Sequence, residues 1–208
     1  MIKNILLILL LTPFFLKADT NGYAIFGNRP INYVLEEEFR LKNGDDFMYQ
    51  HSQLTAAVKF NRWLQPFIGY RVEFIKPVDN WNFRQKFLLG DTSTLIKSDK
   101  YGILNARSMF DYTLSPNNAT AFRFRERFRY NTPWFLTRYK INPFIYDEIF
   151  FGIDPAQGFN QNRIGGGVDV PITKYMVGSV YYFLQTQKSS AGQWTDSNIL
   201  AVQARISF

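Results

Sequence analysis

The chain has 208 residues, 18% of them aromatic and 20% charged, with 24 lysines and arginines against 17 aspartates and glutamates for a net charge of +7. It has no cysteine, which excludes disulfides, thiol chemistry and cysteine-ligated metals. The positive balance is too mild to signal a nucleic-acid partner.

The first segment, MIKNILLILLLTPFFLKADT (1–20), has one early charge at Lys3, an unbroken apolar run over 5–11 continuing to Phe15, and a small residue at Ala18. That layout predicts a secretory signal peptide over 1–18, cut after Ala18, with one domain over 19–208. Without Lys3 and Lys17 the balance becomes 22 basic against 17 acidic residues, a net of +5. No other run reaches the ~18 apolar residues that a helical span needs.

From residue 31 onward one pattern recurs. INYVLEEEFRL (31–41), QLTAAVKFN (53–61), FIGYRVEF (67–74), WNFRQKFLL (81–89) and ILNARSMFDYTL (103–114) read as strands. So do AFRFRERFRY (121–130), PFIYDEIFFG (143–152), NRIGGGVDV (162–170), MVGSVYYFLQTQ (176–187) and ILAVQARISF (199–208). Turn residues separate them: NGDD (43–46), LQP (64–66), KPVDN (76–80), SPNN (115–118), NTP (131–133), DPAQG (154–158) and SSAGQ (189–193). The count is ten strands, with GYAIFG (22–27) a possible extra and twelve an upper figure.

The segment 121–130 carries the strongest signal. On a helix its aromatics would point all round the axis; on a strand Phe122, Phe124, Phe128 and Tyr130 form one face and Arg123, Arg125, Arg127 and Arg129 the other. Alternation alone does not say which face is inside, because soluble and membrane barrels share the period. The last strand does: Leu200, Val202, Ala204, Ile206 and Phe208 share a face against Ala201, Gln203, Arg205 and Ser207. A closing strand ending on phenylalanine is similar to the assembly signal of bacterial outer-membrane barrels. Aromatics near expected strand ends, Trp63, Phe67, Trp81, Trp134, Phe135 and Tyr175, suit the girdles of a bilayer interface.

An arginine facing lipid at the midplane costs roughly 2–4 kcal/mol, so four would cost on the order of a protein's whole net stability. The four arginines are therefore assigned to the lumen, where buried charge needs partners. Strand parity offers Glu36, Glu38, Arg40, Lys59, Arg71, Glu73, Arg84, Arg107, Asp111, Glu148, Arg163, Gln203 and Arg205. The expectation is a charge ladder in which Glu36, Glu38, Glu73 and Glu148 pair with the arginine column, filling a bore only slightly wider than that of an eight-stranded barrel. Parity sends Glu37, Glu126 and Asp147 to the lipid face, for which a bulge or a position near an interface is the expected explanation.

Taken together, GYRVEF, WNFRQKF, ILNARSMF, FRFRERFRY, NPFIYDEIFFG, FNQNRIGGGV and the terminal phenylalanine resemble the outer-membrane barrel family named domain of unknown function 2490, over about residues 30–208. Glu148 followed by Phe150 and Phe151, and Asn162, Arg163 and Gly165, carry the resemblance most specifically. It implies a bacterial outer-membrane barrel and supplies no activity or catalytic residues.

Other chemistry is weaker. His51 is the only histidine, expected at a loop end where a strand begins; its neighbour Ser52 points to the opposite face, so the two do not make a nucleophile and base. Asp45, Asp46, Asp79, Asp154 and Asp196 fall in expected outer loops, where turn formation explains them better than a rim protease. The glycines at 165–167 lack the lysine and helix of a phosphate loop and are expected to bend the strand or make room for arginines opposite. Asn118 with Thr120 matches a glycosylation acceptor of no expected consequence in a bacterial turn. Rings and arginines on opposite faces make no nucleic-acid platform.

The expectation is thus an all-β transmembrane antiparallel barrel of a bacterial outer membrane, structural or binding, with no catalytic, cofactor or metal site. Its partners would be outer-membrane lipid and, through Phe208, the barrel-assembly machinery, with no nucleic acid and no oligomeric state assigned. The alternatives are a narrow anion-preferring pore and a rim hydrolase acting on lipid or peptide.

Overall fold

Residues that alternate between oily and charged separate cleanly only on a strand, where neighbours point to opposite faces. The computed structural model describes residues 30–43, 46–76, 80–115, 120–155, 158–189 and 191–208. The expected signal peptide, the candidate strand at 22–27, Asp45, Asp79 and Asn118 lie outside the described residues. The described chain forms ten strands: β1 (Ile31–Lys42), β2 (Asp46–Val58), β3 (Leu64–Ile75), β4 (Asn82–Ser98), β5 (Gly102–Leu114), β6 (Thr120–Asn131), β7 (Asn142–Asp154), β8 (Gly158–Pro171), β9 (Met176–Lys188) and β10 (Trp194–Ser207). Each pairs with its neighbours in chain order, all antiparallel, and β10 returns to β1 to close the barrel. Closure matters because an open sheet edge has no water to bond to inside hydrocarbon.

The barrel is apolar outside and charged inside. Leu54, Ile68, Phe87, Leu89, Phe110, Phe128, Ile145, Ile164, Val180 and Val202 are all exposed, Ile68 at 62%. Glu38, Arg40, Arg71, Glu73, Lys86, Asp111, Arg125 and Glu148 are buried. So extensive an apolar wall is stable against lipid and not against water, which makes this a transmembrane antiparallel β-barrel. Aromatics ring both ends. Trp63, Tyr101, Trp134, Phe135 and Tyr175 lie exposed in the turns at the end holding both strand termini. At the other end Phe47 packs on Trp81 at 5.2 Å and Phe159 on Trp194 at 5.3 Å between ring centroids. Phe67 is not part of a girdle: it points inward and packs with Ala57, Leu88 and Met109.

Several boundaries differ from the sequence expectation. β2 begins at Asp46, not 53, because its register with β1 continues past a bulge between Arg40 and Leu41. The LQP segment at 64–66 is strand rather than turn: β3 pairs with β4 from Leu64 but with β2 only from Phe67, so the missing N–H of Pro66 faces no partner. β4 runs on to Ser98 through a bulge between Thr94 and Ile96, and Asp196 lies within β10. At the seam, Tyr33 and Phe208 exchange backbone hydrogen bonds of 2.9 and 3.0 Å and their rings stack at 5.9 Å, so the terminal residue locks β10 to β1.

The glycine run of β8 makes room for rings, not for arginines. Gly165 pairs with Phe183 and Gly167 with Tyr181, and both rings lie inside the barrel over the glycine backbone. A Cβ on Gly167 would sit 2.2 Å from the Val180 carbonyl oxygen and 2.3 Å from the Tyr181 Cβ. Gly167→Ala is therefore expected to lower the unfolding free energy by about 1–3 kcal/mol, read as a lower urea midpoint for loss of heat-modifiable gel mobility in detergent.

Candidate functional site in the barrel lumen

One face of every strand turns to the lumen, so the chain's inward charge is set by parity. β6 contributes the column Arg123, Arg125, Arg127 and Arg129, because its outward face is taken by Phe122, Phe124 and Phe128. β1 sends in Glu36, Glu38 and Arg40, and β2 sends in Tyr49, His51 and Gln53. β3 adds Arg71 and Glu73, β5 Arg107 and Asp111, β7 Glu148, β8 Arg163 and Asp169, and β10 Gln203 and Arg205.

These side chains form connected ion-pair groups. Asp111 receives Arg123 at 3.1 Å and Arg125 at 3.7 Å, and Glu148 receives Arg125 at 3.5 Å and Arg163 at 3.4 Å, so one guanidinium bridges two carboxylates. The ring of Phe150, fully buried, lies under Arg123 and Arg163, each guanidinium 4.7 Å from its centroid. Glu73 takes Lys86 at 2.8 Å and the Tyr49 hydroxyl at 2.9 Å. Glu38 pairs with Arg40 and accepts the Tyr181 hydroxyl at 2.6 Å and Gln203 at 3.2 Å. Near the terminal end Asp169 holds Arg129 at 2.5 Å and Arg205 at 3.8 Å.

The partners differ from the expected set. The arginine column uses Asp111, Glu148 and Asp169, whereas Glu36, Glu38 and Glu73 serve His51, Arg40, Arg71 and Lys86 on β1 to β4. Pairing follows the neighbour strands in the sheet: Asp111 and Arg123, and Glu148 and Arg163, are ion-paired and directly opposite each other across adjacent strands. Asp169 and Lys86 stand at inward positions of VDV and RQK, where parity would have found them. Lys59 lies past the end of β2 and is exposed.

His51 is not a loop residue. It sits within β2, 1% exposed, with Nε2 at 2.9 Å from Glu36, and Ser52 faces outward to donate to Glu37 at 2.8 Å. Ligand atoms of Glu36, Glu38 and His51 fall within 4.8 Å of one another, a spacing a divalent ion could bridge. The set does not suit one: Arg40 already occupies Glu38, Arg71 stands 4.0 Å from Glu36, and adjacent guanidinium charge opposes a second cation.

The lipid-facing acids are not re-aimed by bulges. Glu37 and Asp147 sit in unbroken register near the middle of β1 and β7 and gain hydrogen bonds on the outer wall, from Ser52 and from Asn162 at 2.7 Å. Glu126 faces out between its cross-strand neighbours Ser108 and Ile149.

At the centre the lumen leaves a cavity of about 30 Å³, lined by Glu36, Glu38 and Glu148, by Arg40, Arg71, Arg107, Arg125, Arg127 and Arg163, and by Met109, Tyr146 and Tyr181. That is room for a water or two. Arg107 and Arg127 face each other in register across β5 and β6, and neither has a carboxylate within 4.0 Å among the described residues. A wider cavity of about 300 Å³ lies toward the end opposite the termini.

A closed, antiparallel, ten-stranded wall with a lipid-compatible exterior and a charged interior defines an integral barrel of the outer-membrane type. The chain belongs to the family described as "Protein of unknown function (DUF2490)", whose model matches residues 20–196. Among solved structures it is similar to a bacterial polysaccharide outer membrane secretin, with a TM-score of 0.52 at 9% identity over 85% of this chain. The chain spans 65% of that protein's length. Two further matches are Neisserial surface protein A (NspA), with a TM-score of 0.30, 7% identity and 86% of this chain against 96% of that one, and the outer membrane channel DcaP of Acinetobacter baumannii, with 0.33, 10%, and 92% against 67%. At such identities the likeness concerns the fold alone. No curated protein matches the chain.

Among the described residues Lys86 is the only cation within ion-pair distance of the nearly inaccessible Glu73. Lys86→Ala is expected to destabilise the barrel by about 3–5 kcal/mol, and Lys86→Met combined with Glu73→Gln to recover most of that loss. Arg127→Ala, which strands no carboxylate, is expected to be near neutral in the same urea titrations.

Proposed function

We propose that this chain is a bacterial outer-membrane protein that crosses the bilayer as a sealed cylinder and acts through binding or structural contact, not through conduction or catalysis. The observation that carries this reading is the centre of the bore, where side chains converging from round the wall, many of them ion-paired to the same or nearby strands, leave about 30 Å³. A ten-stranded barrel is close to the size that side chains can fill, and bridged guanidinium–carboxylate contacts hold them in place. Outer-membrane lipid is the partner of the apolar wall. The C-terminal strand ending in Phe208 is the segment offered to the barrel-assembly machinery, and deleting Phe208 is expected to cut the heat-modifiable, outer-membrane fraction of the protein in cells.

One observation favours a second reading, a narrow anion-preferring pore: Arg107 and Arg127 line the constriction with no carboxylate within 4.0 Å among the described residues. Planar-bilayer recording separates the two. The intact barrel is expected to pass no steady current, and replacing Arg125 and Arg127 together with alanine is expected to lower stability and open a leak. A steady anion-selective current from the intact barrel would establish the pore instead.

The same reading takes the protein as non-enzymatic. His51 is enclosed in the bore against Glu36 and Ser52 points to the outer wall, which gives a lipid ester no paired nucleophile and base. Purified barrel given phospholipid and short-chain esters is expected to release no acid above the level of a His51→Ala variant.

A further inference from the structure

The vestibule toward the end opposite the termini is more one-sidedly charged than the central cavity among the described residues. Its cavity of about 300 Å³ is lined by seven basic side chains, among them Arg71, Arg84, Lys86 and Arg123, against one acidic side chain, Glu73. A second cavity of about 270 Å³ shares Arg84, Lys86 and Arg123 with it and adds Asp111 and, at its rim, Asp154. Most of these cations are already committed: Lys86 to Glu73, Arg123 to Asp111, and Arg71 to Gln53, with Glu36 4.0 Å away. Arg84 is not. It forms no ion pair among the described residues, and its buried Nε, like that of Arg125, has no hydrogen-bond partner there. Arg84 is half-buried, and a guanidinium whose Nε is shut from water without a partner, beside other cations, is stabilised by a bound anion.

We propose that this vestibule is a binding site for a compact multivalent oxyanion, a phosphate or phosphomonoester group, which Arg84 and Arg123 grip while Gln161, Gln185 and Gln187 supply amide donors from the opposite wall. The proposal rests on the sealed-barrel reading and gives its binding role a ligand class. Planar guanidinium forks match phosphate oxygens in pairs, and a multivalent ion neutralises several wall charges at once. Enclosure inside the bore limits the ligand to a small group and bars a nucleic-acid strand. The group belongs either to a free solute or to a lipid headgroup that reaches over the rim.

The test is calorimetric titration of the full-length barrel in phosphatidylcholine nanodiscs with inorganic phosphate and with pyrophosphate, at fixed ionic strength set by sodium chloride. Saturable binding is expected, tighter for pyrophosphate. Arg84→Gln removes no carboxylate's partner, so the variant is expected to fold as the parent does while weakening pyrophosphate binding roughly tenfold or more. Arg205→Gln, at the opposite mouth, is expected to leave it unchanged. Nanodiscs containing phosphatidic acid distinguish the sources: a lipid headgroup that fills the site lowers the apparent affinity for pyrophosphate, and a soluble ligand's site is indifferent to it. No saturable binding in phosphatidylcholine discs, or binding equally sensitive to Arg84→Gln and Arg205→Gln, overturns the proposal. Bilayer conductance, measured separately on the same protein, reports on the sealed centre, so a conducting barrel that still binds pyrophosphate at Arg84 refutes the seal and not the site.

Discussion

Arginine is too costly to leave in hydrocarbon, and the rest of this barrel follows from where β6 puts four of them. With Phe122, Phe124 and Phe128 on the alternate positions, β6 has one orientation in a bilayer, rings outward and guanidinium groups inward. Each neighbouring strand is paired to it in register, so its orientation is fixed in turn, and closure through β10 and β1 carries the constraint round the whole wall. A narrow bore then has to hold the collected charge.

The bore holds it by sharing. Asp111, Glu148 and Asp169 each contact two arginines, and Arg125 contacts two carboxylates, so fewer acids than bases keep most of the charge within ion-pair distance. Aromatic faces take up part of the remainder. Arg129 lies 3.7 Å over Phe144, Arg107 lies 4.4 Å over Phe67, and Arg40 lies 4.2 Å over Tyr49, each a contact in which the ring substitutes for hydration that the enclosed cation has lost. Two of those rings, Phe144 and Phe67, belong to compact apolar clusters inside the bore, one around Phe144, Tyr146, Phe183, Ile199 and Ala201, the other around Phe67, Leu88 and Met109. The glycines of β8 are what let β9 carry the rings of the first cluster so close, since a Cβ at 165 or 167 would collide with the Cβ and backbone of Phe183 or Tyr181. Charge and packing in the lumen are therefore not separate layers: the rings that fill the bore also support its cations.

The outer wall shows the complementary economy. Glu37 and Asp147 lie on the outer wall and are made tolerable by local donors from the adjacent strand, Ser52 directly opposite Glu37 and Asn162 diagonally placed to Asp147. A single hydrogen bond of this kind reduces the cost of an outward carboxylate without altering the strand's path. The bulges among the described residues fall elsewhere, near strand ends, where they lengthen β2, β4, β7 and β8 toward the rims.

What the sequence determined by itself was everything that depends on parity. Ten strands, the lipid face of the C-terminal strand, the inward column of β6 and the inward glutamates at 36, 38, 73 and 148 all follow from a period of two, which is local and needs no knowledge of neighbours. Strand ends were less legible, because polar segments such as DFMYQHS and GDTSTLIKS extend a ladder only when a partner strand continues beside them. That is why His51 read as a loop residue while the paired β2 carries it into the bore. Tertiary structure alone decided who pairs with whom. Asp111 meets Arg123 because β5 and β6 are adjacent in a particular register, and Glu36 meets His51 because β1 and β2 are; parity assigns a face, but register and curvature of the closed sheet assign the distance across it. The surplus that remains, with Arg84, Arg107 and Arg127 unmatched among the described residues, is likewise a property of the closed barrel, because a charge is unpaired only relative to what folding has brought within reach.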